Sequence, residues 1–100
     1  MDLKKYQNLD EFFGCYFHED WAIDSQSYED VIKEYARENQ ADTVNSTISE
    51  LAGLLRDSEA DADSLSMLYE FGCYYYPPWN GDTVSGWLEK VLDKLKSAAK

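Results

Sequence analysis

Apolar residues recur along this chain at three- and four-residue steps, and that spacing predicts three helices directly. Tyr28, Val31, Ile32, Tyr35 and Ala36 share one face behind Ser27, a residue type that caps helix starts with its side-chain oxygen. Val44, Ile48, Leu51, Ala52 and Leu55 make a second stripe, opened by Asp42 or Thr43. Val84, Trp87, Leu88, Val91, Leu92 and Leu95 make a third after Thr83, and Lys90, Lys94 and Lys96 suit the negative end of its dipole. Two shorter helices join them. Asn8 with Glu11 has the form of a capping box ahead of Leu9, Phe12, Phe13 and Tyr16. Gly14 inside that run costs about 1 kcal/mol against alanine, which marks close packing or an early end. Leu65, Leu68 and Tyr69 follow Asp63 or Ser64 and stop at Gly72.

No segment sustains two-residue alternation, and the one β-like run, Cys73 to Tyr76, meets Pro77-Pro78, which cannot continue a ladder. The fold expected is therefore all-α: a single compact bundle of about five helices with short loops, residues 1–100 forming one domain. Its core is expected to hold Phe12, Tyr16, Trp21, Ile32, Leu51, Leu55, Leu68, Trp87, Leu88 and Val91. Phe13-Gly14-Cys15-Tyr16 recurs as Phe71-Gly72-Cys73-Tyr74 without matching flanks, so it reads as two helix ends closed alike rather than as a duplication.

Charge changes the picture. Twenty acidic residues against nine basic ones give a net charge of −11. Between Tyr6 and Glu89 the only basic residues are Lys33, Arg37 and Arg56, so the middle of the chain is a negative body. Such a surface is repelled by nucleic-acid phosphates and anionic lipid, which argues against both as direct partners and turns attention to cationic proteins. No apolar run approaches the roughly 18 residues of a membrane span. The start, Met1 to Tyr6, lacks the apolar stretch of a secretion signal, so the expected compartment is the cytoplasm, with Cys15 and Cys73 as buried free thiols.

Candidate chemistry is sparse. His18 stands among carboxylates, but no spacing joins it to either cysteine, and a structural place at a helix end is the simpler reading. The run from Glu59 to Glu70 approaches a calcium loop, yet Ser64 occupies the position where the sharp turn needs glycine. Two cysteines and one histidine cannot complete a zinc site. No catalytic residue, metal or cofactor is assigned. The aromatic residues are the stronger signal. Tyr74-Tyr75-Tyr76-Pro77-Pro78-Trp79 puts four rings in one connection, and consecutive rings cannot all face inward. At least one of Tyr75, Tyr76 and Trp79 should therefore reach the surface, where such side chains anchor protein interfaces.

The block Phe12 to Trp21, containing Tyr16-Phe17-His18-Glu19-Asp20-Trp21, resembles the Tyr-Phe-His-x-Asp-Trp signature of a group of contact-dependent growth inhibition immunity proteins. Glu50-Leu51-Ala52-Gly53-Leu54-Leu55 is similar to that group's Glu-Leu/Ile-x-x-Leu-Leu helix. Tyr76-Pro77, Gly81-Asp82-Thr83 and Trp87-Leu88 resemble its closing motifs. Where the group carries a polar residue, this chain has Gly86. The resemblance implies a small cytoplasmic antidote that binds a delivered toxin domain, often a ribonuclease, and blocks its active site, with no catalytic residues of its own. An acidic adaptor unrelated to toxins is the competing reading.

Two surfaces compete for the partner, a basic toxin domain met by a monomer. One is the acidic connection Asp57, Glu59, Asp61 and Asp63, suited to steering; the other is the aromatic loop Tyr75, Tyr76, Trp79 and Asp82, suited to anchoring.

Overall fold

In the computed structural model, residues 6–18, 27–56 and 65–98 are described, and helices form where the apolar stripes lie. They are α1 (Gln7–Tyr16), α2 (Tyr28–Glu38), α3 (Ala41–Arg56), α4 (Leu65–Glu70) and α5 (Val84–Ala98). The connection between α4 and α5 carries one 3₁₀ turn, Pro77–Asn80, and no strand occurs among the described residues. The all-α bundle is what the periodicity calls for.

Three of the five described helices have an end set by local chemistry. Ser27 caps α2: its Oγ accepts from the Asp30 N–H at 3.2 Å. Thr83 caps α5 by accepting from the Gly86 N–H at 3.0 Å. A Cβ at Gly86 would lie 2.8 Å from that Thr83 Oγ1, so glycine at this position leaves room for the cap. Helix α4 closes in a Schellman arrangement, with Gly72 N–H donating to Tyr69 O and Cys73 N–H to Leu68 O, both at 2.9 Å. Gly72 sits at φ +77°, the left-handed region that glycine enters without steric cost.

Two starts differ from expectation. Helix α3 opens at Ala41, ahead of both predicted caps. Helix α1 has no side-chain cap from its N-terminal residue, and no capping box forms. Instead the Glu50 carboxylate reaches across from α3, accepting from the Leu9 N–H at 3.0 Å and from Asn8 Nδ2 at 2.7 Å. An anion is favoured there because the first-turn N–H groups lack intrahelical partners. A tertiary contact replaces the local one.

Helix α5 packs against α2 and α3, while α1 packs against α3 and α2. Where they meet the core is largely aromatic. Trp87 is fully buried, stacked on Tyr75 with ring centroids 4.4 Å apart and planes 11° from parallel. Phe17 and Tyr28 meet Trp87 edge-on at 5.4 and 5.9 Å. Phe12, Ile32, Leu51, Leu68, Leu88 and Val91 are buried as expected. Tyr16 and Leu55 are only partly so, and Trp21 lies outside the described residues. Leu9, Phe13, Phe17, Leu54, Phe71 and Leu95 are among the other residues of the interior.

The repeated Phe-Gly-Cys-Tyr segments meet in space. A Cβ at Gly72 would lie 3.3 Å from Gly14 Cα, and Tyr74 N–H donates to Phe17 O at 2.8 Å. Gly14 is thus a point of close backbone approach. Cys73 is buried and Cys15 exposed, both unpaired, which corrects the expectation that both thiols lie inside.

Candidate protein-binding site

After Gly72 the chain runs extended through Tyr76, and successive side chains of an extended run point to opposite sides. Cys73 and Tyr75 face inward; Tyr74 faces out and Tyr76 is half-buried. Pro77 and Pro78 then preset the backbone for the 3₁₀ turn. Gly81, at φ +78°, closes it by donating to Pro78 O at 3.0 Å, and Asp82 N–H donates to Pro77 O at 3.3 Å. The turn lifts Trp79 clear of the body: it is 76% exposed. Tyr69, at the end of α4, is 56% exposed and Tyr74 51%. Tyr69 and Tyr74 lie 6.3 Å apart, and Tyr76 meets Trp79 edge-on at 5.4 Å. They stand as two ring pairs, one at the end of α4 and one at the 3₁₀ turn, which together make up the aromatic ridge of this connection.

Of the residues expected in the aromatic loop, Trp79 and Tyr76 stand on this ridge. Tyr75 does not. It is 4% exposed and stacked on Trp87, so it belongs to the core and offers no surface. The Asp82 side chain is 13% exposed and its Oδ1 receives Lys90 Nζ at 2.7 Å, so its charge is already engaged in fixing the loop to α5. That contact raises the Lys90 pKa. The acidic connection Asp57, Glu59, Asp61 and Asp63 lies outside the described residues. Tyr69 and Tyr74 are exposed rings that the expected loop surface does not include. The two-residue alternation from Cys73 to Tyr76 pairs Tyr74 with Tyr76 on one side, but which side faces solvent depends on what packs above it.

His18 follows the C-terminal end of α1, and the described residues contain no group of three or more His, Cys, Asp or Glu able to hold a metal. Burial pushes the Cys73 thiol up to about 12, the opposite of the lowered value a nucleophilic cysteine needs. Among the described residues no helix is long and apolar enough to cross a membrane.

An acidic helical body with exposed aromatic rings has the surface character found at protein-binding faces. The family comparison makes this specific. The CdiI immunity protein family model matches residues 5–95, and the chain belongs to that family, whose members neutralise toxins. Comparison with curated proteins and with solved structures finds no match.

Proposed function

We propose that this protein neutralises the nuclease toxin domain of a contact-dependent growth inhibition system by covering its active site. The reading rests on one observation: a chain of net charge −11 in the CdiI immunity family exposes Trp79, with Tyr76 against it and the exposed pair Tyr69 and Tyr74 nearby in sequence, on a turn closed by its own backbone bonds. A nuclease site is cationic because it holds phosphate, so an acidic protein approaches it readily and can stand in the substrate's place. On this reading the ridge supplies the packed anchors, and Asp57, Glu59, Asp61 and Asp63 supply steering charge. The protein acts as a monomer in the cytoplasm, where an imported domain meets nucleic acid.

The test is binding to the toxin domain encoded immediately upstream, with inhibition of its nuclease activity. Trp79→Ala should hasten dissociation by roughly thirtyfold or more, the scale of a 2 kcal/mol anchor. A complex whose lifetime is unaffected by Trp79→Ala and by Tyr74→Ala rules the ridge out.

A further inference from the structure

A concavity of about 400 Å³ lies where α1, α2 and α3 meet. Glu11, Cys15, Tyr16, Tyr35, Glu38 and Asn39 are among the residues lining it. Among the described residues no lysine or arginine lines it, in contrast to the hollow of about 260 Å³ between α2 and α5, which is lined by Glu29, Lys33 and Lys94. The Tyr16 and Tyr35 rings meet edge-on at 5.1 Å and 83°; Tyr35 is buried, so the partly buried Tyr16 is the ring that offers surface to the groove. Tyr16 OH donates to Glu38 Oε1 at 2.7 Å and accepts from Asn39 Nδ2 at 3.3 Å. The Glu38 carboxylate is thereby held in place by a neutral partner, and its charge is left uncompensated by it. Among the described residues no cation lies within ion-pair distance of Glu11 or Glu38. A single ordered water needs only about 10–15 Å³, so the space admits a side chain.

We propose that this groove receives an arginine side chain presented by the toxin domain. The inference rests on the immunity reading above and gives it a second contact site. A guanidinium is the cation that fits: its plane stacks on a tyrosine face while its N–H fork meets a carboxylate. A metal ion fits poorly, because no group of three or more potential ligands converges among the described residues. The last turn of α1 carries Cys15 and Tyr16 toward the groove, and Tyr74 is hydrogen-bonded to Phe17 immediately after that turn.

Cys15 makes the groove measurable. It is the exposed thiol, whereas Cys73 is buried with its pKa pushed up to about 12, so a maleimide should label the native protein once, at Cys15. Labelling rates are compared for the free protein and for its complex with the upstream-encoded toxin domain. Affinity is measured in parallel for the wild-type protein and Glu11→Gln/Glu38→Gln, in which the glutamine at 38 still accepts from Tyr16. The expected results are labelling at least about tenfold slower in the complex and an affinity loss of about tenfold to a hundredfold in the double variant, the range of charge-assisted hydrogen bonds. A wild-type protein that does not bind the domain overturns the immunity reading together with this inference. Tight binding with Cys15 labelled at its free rate, or with the double variant unimpaired, overturns the groove alone.

Discussion

Trp87 is the residue on which the interior depends most. It combines full burial with a stacked contact to Tyr75 and edge contacts to Phe17 and Tyr28, so its ring closes the space between α5 and the loop. Its buried Nε1 has no hydrogen-bond partner among the described residues, a cost that the packing of the ring outweighs. Trp87→Ala should destabilise the protein by about 3–5 kcal/mol in denaturant unfolding, since the cavity adds to the lost burial. Trp87 was legible in the sequence because it sits in a helical stripe with Leu88 and Val91. Tyr75 was not, because an extended run carries no face of its own until something packs on it. Tyr16 has a different signature. Its hydroxyl is pushed up to about 12, first by burial and then by its bond to the Glu38 carboxylate. The unfolded chain would release that proton near pH 10, so between pH 10 and about 12 the native state binds more protons than the unfolded one. The contribution is fully present below pH 10 and is lost as pH rises through about 12. Tyr16→Phe should therefore flatten the alkaline fall in stability, read by denaturant melts across that range. An unchanged pH dependence would remove Tyr16 as its source.

At the scale of elements, local signals set one end each of α2, α4 and α5 and failed at the start of α1, which packs on α3. Ser27 and Thr83 cap α2 and α5 from within their own segments, and Gly72 ends α4 with the backbone geometry its position implied. The N-terminus of α1 instead abuts α3, and Glu50, about forty residues away in sequence, takes the role that Asn8 and Glu11 were expected to share. One window of sequence could not reveal this, because the partner is chosen by the packing of two helices. Glu50→Ala should cost about 1–2 kcal/mol, as the loss of a cap with an added side-chain bond does. Glu11→Ala should leave stability within about 0.5 kcal/mol, the usual range for surface changes. If the two variants melt alike, the cap across the helices contributes nothing. The same logic explains the echo of Phe-Gly-Cys-Tyr: two similar helix ends sit against each other through Gly14 and Gly72, a relation invisible while each is read as a separate terminator.

For the whole molecule the deciding quantity is how charge and contact surface divide the work of binding. Exposed ion pairs contribute only about 0–1 kcal/mol each, so a charge of −11 adds little to affinity one contact at a time. Its effect on encounter is larger, since a charged surface raises the rate at which an oppositely charged partner arrives and that rate falls with salt. The described carboxylates are partly engaged at home: Glu50 caps α1, Asp82 holds Lys90, and Glu29 lies 3.8 Å from Lys94. The acidic connection Asp57, Glu59, Asp61 and Asp63 concentrates four charges in seven residues, which makes it the segment whose removal most changes the field. Changing these four to Asn or Gln should slow association with the toxin domain and flatten its salt dependence, with dissociation nearly unchanged. Trp79→Ala should do the reverse, because a packed anchor is felt once the complex has formed. Stopped-flow association at two salt concentrations separates these effects. If the neutralised variant associates at the parent's rate with the parent's salt dependence, the charge serves solubility and the ridge alone selects the partner.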